Sequence, residues 1–398
     1  MIRSRPAAHP FAALCLVTAV ALAACAPQRD LPEATPQIAV TYYPTPTSTP
    51  APLVPVASPT AEVIPAQASV MAAPAPPATP PLPAFPLPGP SAMLAGIRHE
   101  QQTWNNCGPA TISMLLSRFG RAETQREAAA FLKPYRDDKN VSPDELVDYA
   151  RSFGFEGRVI AGGDLNMIRT FVANGLPVIV ETWFIPEPND EMGHYQLVIG
   201  YDEDELIFYD SYQGPNVREA VAQFEPLWKV FNRTAVVVWT PALTPLVEAI
   251  LGDRGDERAM YEIALAQAQA EIVADPQDKF AWFNVGTNQL ALGDSAEAAR
   301  AFDIARKLKL PWRMMWYQTG PYFAYYYTGR YADVEQLATT TIEAAAEPYL
   351  EESFVWRARA RLALGNRAGA AEDIRKALEY HPDFTPALEL ASLLGLQP

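Results

Sequence analysis

Cys107 stands immediately before Gly108 and Pro109, within the stretch HEQQTWNNCGPATISMLL that runs from His99 to Leu116. A thiol becomes a nucleophile when its pKa falls. The start of a helix lowers it, because free backbone N–H groups and the helix dipole stabilise a thiolate. Gly108 is expected to let the backbone turn, and Pro109 suits the first position of the helix. A nucleophile also needs a base. The chain has four histidines. His9 lies in the N-terminal segment that would leave with a signal peptide, and His381 in the turn EYHPD. His99, with Glu100, reads as shaping the segment that enters the site. His194 begins a strand-like run far along the chain, and Asp210 follows 16 residues later. A hairpin would return Asp210 to the start of that run, where it could orient an imidazole. The bland alternatives are a structural thiol at Cys107, a backbone-paired His194 and a turn role for Asp210 with Ser211.

The surrounding pattern supplies elements to position these groups. Ile112, Leu115, Leu116 and Phe119 follow the cysteine at helical spacing. SPDELVDYARSFG reads as a second helix, with Ser142 as N-cap, Pro143 in the first turn and Glu145 completing a capping box. GRVIAGG and PVIVETWF read as strands, DLNMIRTFVANG as a helix between them, and TAVVVWT as a closing strand. HYQLVIGYDEDELIFYD alternates around an acidic turn at Asp202 to Glu205, which makes it a hairpin. Helices come first and strands cluster late, so residues 93–241 are expected to form an α+β domain.

Taken in order, a glutamine followed by Cys107-Gly108-Pro109-Ala110, then Gly193-His194-Tyr195 with Gly200-Tyr201-Asp202, then Tyr209-Asp210-Ser211, resemble the bacteriocin-processing (C39-like) cysteine peptidase family. The likeness covers roughly Leu94 to Thr240. It implies a papain-like fold with Cys107 as nucleophile, His194 as general base and acid, and Asp210 as the orienting carboxylate. It also implies a glutamine that donates into an oxyanion hole beside the Cys107 backbone N–H. Gln101 lies at the usual papain-like spacing, whereas Gln102 follows the family-like HExQ pattern and is preferred. The best-known members are fused to export ATPases and cut leader peptides after a double glycine. This chain contains no Gly-Lys dipeptide and so no Gly-x-x-x-x-Gly-Lys loop, and that substrate is not carried over. The implied reaction is hydrolysis of an amide in a peptide or protein. A non-catalytic peptide-binding adaptor and an acyl or amide transferase are the rival readings. No cofactor is implied, and no metal, since a Cys/His cluster with ligand spacing is lacking.

The N-terminus bears on location. Arg3 and Arg5 precede the apolar run Phe11 to Ala24, which ends in Leu22-Ala23-Ala24-Cys25. This resembles a bacterial lipobox and implies a signal peptide over 1–25, with Cys25 lipidated. Between Pro27 and Pro90 lie 19 of the 38 prolines, and from Leu31 to Ala92 the charged residues are Glu33 and Glu62. Residues 26–92 are therefore expected to be a disordered polyproline stalk. Together these features imply an exported chain anchored to the outer face of the bacterial cell membrane. Of the three cysteines, Cys15 would leave with the signal and Cys25 would carry lipid, so Cys107 has no intramolecular partner. A net charge of −15 offers no basic footprint for nucleic acid.

Residues 242–398 read as helical repeats. Trp282, Gly286 and Ala298 recur as Trp316, Gly320 and Ala332, and again as Phe354, Ala358 and Ala370 after a short insertion. The pattern resembles the tetratricopeptide repeat (TPR), which implies an all-α solenoid that binds a protein partner. Leu243 to Asp275 reads as a degenerate leading repeat and PALELASLL as a closing helix. Pro321 is expected to kink the first helix of the second copy. The aromatic run Trp312 to Tyr331 suits either core filling or a peptide-docking surface. Nothing in the implied reaction calls on a residue beyond Pro241, so the two parts are expected to be separable.

Overall fold

The computed structural model describes residues 85–396 apart from 134, 136 and 189. The expected signal peptide, Cys25 and residues 26–84 of the expected stalk lie outside the described residues. The stalk's last described residues are ordered into the fold. Strand β1 (Ser91–Met93) begins two residues before the domain was expected to start and pairs with Gly200 to Asp202.

Three helices follow. α1 (Cys107–Ser117) buries Ile112, Leu115 and Leu116. α2 (Gln125–Leu132) starts on a capping box of Thr124 and Glu127. α3 (Pro143–Arg151) starts on the box of Ser142 and Glu145 that its sequence indicates. The sheet is then laid down by β2 (Glu156–Ile160), β3 (Val178–Glu187), β4 (Asp190–Asp202), β5 (Glu205–Asp210), β6 (Gly214–Ala220) and β7 (Ala235–Trp239). Helix α4 (Leu165–Ala173) falls after β2, and α5 (Val221–Lys229) falls before β7. Strand order is β2-β7-β3-β4-β5-β6, with β1 on β4, and every pairing is antiparallel.

Alternation along the strands sends side chains to two cores. Ile179, Leu197, Ile199, Val236 and Val238 face a cluster shared with α1, α2 and α3. Val178, Val180, Val198, Val237 and Trp239 face the opposite cluster, shared with α4 and α5. Residues beyond 241 enter that second cluster too. Val247 and Leu251 of α6 (Thr244–Leu251), with Met260 and Ala264 of α7 (Glu257–Ala274), are among its buried members. The stretch expected to be a degenerate leading repeat therefore closes one face of the sheet.

The remaining helices run in sequence: α8 (Lys279–Ala291), α9 (Ser295–Lys307), α10 (Met314–Tyr317), α11 (Gly320–Tyr327), α12 (Tyr331–Ala344), α13 (Glu351–Ala363), α14 (Arg367–Tyr380) and α15 (Thr385–Leu394). Pro321 does not kink a helix. It sits in the first turn of α11, where a missing N–H costs nothing, and the chain breaks between α10 and α11 instead. The aromatic run divides. Tyr322 and Tyr325 are fully buried, with Tyr325 Oη donating to Asp303 Oδ1 at 2.9 Å, while Trp312 and Tyr327 are exposed.

A third cluster joins the two parts of the chain. Trp183, Val230 and Phe231 pack with Phe283, Phe302 and Met314. Asn232 and Asn288, both buried, exchange side-chain hydrogen bonds of 2.7 and 3.1 Å. Arg233 is buried between Glu225 and Glu271. The expected separation at Pro241 does not match this packing.

Gly286 illustrates how tight the helical core is. A Cβ there would lie 2.6 Å from the ring of the fully buried Phe302. Gly286→Ala is expected to destabilise the chain by about 1–3 kcal/mol through overpacking. Thermal melting should show a fall of several degrees, and an unchanged melting temperature would contradict this packing.

Candidate active site

Cys107 is the first residue of α1 and is partly exposed. The turn before it is made by Asn105, at φ 55°, rather than by Gly108. Pro109 is the third helical residue instead of the first. The loop carrying Asn105 is held from below. Its carbonyl accepts from Lys133 Nζ at 2.6 Å, and its side chain donates to the Asp138 carbonyl. Gln125, at the start of α2, stitches the entering segment in place. Its Oε1 accepts from Thr103 N–H at 2.7 Å, and its Nε2 donates to the Gln101 carbonyl at 2.7 Å.

The hairpin of β4 and β5 brings His194 to Asp210. His194 Nε2 lies 3.1 Å from both Asp210 carboxylate oxygens, so Nε2 carries the donated proton. Both side chains are buried, at 3% and 0% exposure. The Asp210 carboxylate is held by more than the histidine. Oδ1 accepts from the Tyr212 and Gln213 N–H groups at 2.7 and 2.8 Å, and Oδ2 accepts from Gln196 Nε2 at 3.0 Å. Gln196 in turn accepts from Thr182 Oγ1 at 3.0 Å. The Phe184 ring covers the imidazole, 4.8 Å between centroids.

These contacts set the charges. Burial pushes the Cys107 thiol up, but the hydrogen bond and charge of His194 outweigh it, helped by the Tyr195 backbone and Lys133, and the net shift is downward. Burial disfavours the charged His194 ring, yet its hydrogen bonds to Asp210 and Cys107 and their charges raise it to about 10. Asp210 is lowered: burial opposes ionisation, and His194 followed by the two backbone donors overcomes it. The Cys107 and His194 shifts run in opposite directions, and both favour a thiolate beside an imidazolium.

The two glutamines are distinguished by their partners. Gln101 is exposed, and its Nε2 donates to the Tyr212 carbonyl at 2.7 Å. Gln102 has its carbonyl end fixed by Ser211 Oγ at 2.8 Å, and its Nε2 makes no hydrogen bond among the described residues. Both border the cleft. His99 Nε2 donates to the Asp210 backbone carbonyl at 2.9 Å, a brace for the entering segment.

A cleft of roughly 700 Å³ opens over Cys107 and His194. Arg313, Trp316 and Tyr317 of the helical part form one wall of it. Arg313 donates to Asp190 Oδ1 at 2.6 Å, and the Tyr317 ring packs where Gly193, beside His194, leaves no Cβ in the way. Arg313, Trp316 and Tyr317 lie in the aromatic run that the sequence offers as core filling or a peptide-docking surface, but nothing in it brings them to the cleft, and it does not single out Gln196, Thr182 or Gln125. Gln196 left a trace: it and His194 are polar at alternate positions of an otherwise apolar strand. Among the described residues no group of three or more His, Cys, Asp or Glu side chains is arranged to hold a metal ion.

Residues 95–236 match the model of the Peptidase_C39 like family. Among solved structures, the chain is similar to the peptidase domain of Streptococcus ComA, a bifunctional ABC transporter of a quorum-sensing pathway. That match has 21% identity and a TM-score of 0.31, over 37% of this chain and 99% of the other. A double-glycine-motif protease from an AMS/PCAT transporter, solved with its leader peptide, matches at 16% identity and TM-score 0.28, over 37% and 94%. The MamA RS-1 ArsTM double mutant matches at 16% identity and TM-score 0.32, over 35% and 76%. Comparison with curated proteins returned no match.

Proposed function

We propose that this protein is a cysteine peptidase in which Cys107, His194 and Asp210 act as a triad. The observation that carries the reading is His194, bonded to both Asp210 oxygens through Nε2 and lining the same cleft as Cys107, whose thiol its charge lowers. The match of residues 95–236 to a peptidase family supports it. The Cys107 thiolate attacks the carbonyl carbon of a peptide bond. The oxyanion receives hydrogen bonds from the Cys107 backbone N–H and from Gln102 Nε2, whose other end Ser211 already fixes. The His194 imidazolium gives its proton to the leaving amine, and an acyl-thioester remains on Cys107. His194, now neutral, takes a proton from water as the water attacks that ester. The acid departs and the thiolate returns.

Iodoacetamide labelling across pH tests the ion pair. Cys107 should label well below the pH at which an ordinary thiol does so, whose pKa is about 8.5. His194→Ala should move the midpoint up toward that value, and Cys107→Ala should remove the label. A wild-type profile that tracks a free thiol would overturn the reading.

The remaining parts are read from sequence. Cys25 and the stalk are proposed to tether the chain to the outer face of the cell membrane. The pairs α8/α9, α11/α12 and α13/α14 are proposed as TPR-like repeats that engage a protein partner. Their turns, each carrying a left-handed glycine at Gly293, Gly329 or Gly365, support that reading.

A further inference from the structure

A second cavity, of roughly 380 Å³, shares Glu181 and Tyr317 with the cleft. It runs between α3, the sheet and the helical part, with Asp144 and Glu257 exposed along it. No lysine, arginine or histidine lines it. Glu181 is only 7% exposed, and its carboxylate makes no hydrogen bond or ion pair among the described residues. A buried acid without a partner is costly and calls for an explanation.

The cations of the cleft do not supply one, and the His194 imidazolium is bonded to Asp210. Lys133 donates to the Asn105 carbonyl, and Arg313 is bound to Asp190. The Lys139 ammonium lies 5.9 Å from the Trp316 ring and 5.7 Å from that of Tyr349. Glu181 is thus a carboxylate at the junction of two cavities, within electrostatic reach of Cys107, with acids on the far side and no cation of its own.

We propose that Glu181 marks a subsite for a lysine or arginine side chain of the substrate, placed where the cleft meets the second cavity; the assignment rests on the peptidase reading above. Burial first, and then the charge of Cys107, push the Glu181 carboxyl well above the usual carboxylate range, which disfavours the charged form. An entering ammonium or guanidinium offsets that penalty: the carboxyl releases any proton it holds to solvent and accepts a charge-assisted hydrogen bond from the cation. Glu181→Gln removes the capacity for charge while keeping shape and hydrogen-bonding capacity.

The test uses the full chain and a positional hexapeptide library with fluorophore and quencher at its ends. At one position, wild type should prefer lysine or arginine over norleucine and citrulline by about tenfold or more in kcat/KM. Glu181→Gln should flatten that ratio, and Glu181→Lys should turn it toward glutamate. Cleavage without a basic preference, or a preference that survives Glu181→Gln, overturns the subsite and leaves the peptidase reading standing. Absence of any cleavage counts against the peptidase reading, and binding then decides the subsite. Cys107→Ala should bind a lysine-containing hexapeptide about tenfold more tightly than its norleucine twin, as measured by fluorescence anisotropy. Adding Glu181→Gln should erase the difference. Equal binding of the two peptides by Cys107→Ala overturns the proposal.

Discussion

Cys107→Ala is expected to lower peptide hydrolysis by at least about 1,000-fold, since it removes the atom that forms the acyl intermediate. His194→Ala should cost a similar factor, and the double variant should be little worse than either, because the two groups act as one unit. The wild-type pH profile follows from the signs of the two shifts. The active form needs the thiolate, which is lost as pH falls through the lowered Cys107 value. It also needs the imidazolium, which is lost only as pH rises through about 10. The kcat/KM curve should therefore be a broad bell with its alkaline limb far above that of an ordinary histidine, near 6.5. Steady-state assays over the pH range decide this. An alkaline limb near neutrality would mean that His194 is not held by Asp210 and Cys107 as described.

A chain ending at Pro241 is expected to lose its cooperative fold. It would strip Val247, Leu251, Met260 and Ala264 from the core on one side of the sheet. It would also uncover Trp183, Val230 and Phe231, which pack against the removed helices. Each fully buried large apolar side chain is worth about 1.5–3 kcal/mol, while whole domains are stable by only about 5–15 kcal/mol. Asn232 and Arg233 would lose buried partners besides, and a buried polar group left unpaired costs about 1–3 kcal/mol. Calorimetry should find no sharp transition, and the cleft, missing Arg313, Trp316 and Tyr317, should not turn over peptide. A truncated chain that melts cooperatively close to the full-length temperature would show that the shared core is dispensable.

The site was legible in part because local chemistry wrote it plainly. A cysteine before Gly-Pro and an apolar helix marks a helix start, and an acidic turn between alternating runs marks a hairpin. From those two readings the nearness of His194 and Asp210 follows, since β4 and β5 pair Gln196 with Asp210 two residues from the histidine. Gln196 was readable by the same alternation but was passed over as an ordinary strand residue. The left-handed turn at Asn105 was not readable, because Gly108 offered the more obvious hinge while tertiary contacts to Lys133 and Asp138 chose the asparagine. Strand β6 carries little apolar alternation and exists as the partner of β5 at the edge of the sheet. The wall of Arg313, Trp316 and Tyr317 lay furthest from reach. It comes from residues more than a hundred positions past His194, and periodicity describes a helix's own pattern but not what that helix leans against.

The reciprocal amide pair of Asn232 and Asn288 bears on how such a chain can change over time. Each amide satisfies both the donor and the acceptor of the other in a buried setting, so either one replaced alone leaves two groups stranded. The pair behaves as a single inherited character written at two distant loci. With Arg233 and Trp183 committed across the same seam, grafting foreign helices onto the sheet-bearing part would orphan several buried groups at once. A change at this seam therefore has to be made on both of its sides at once.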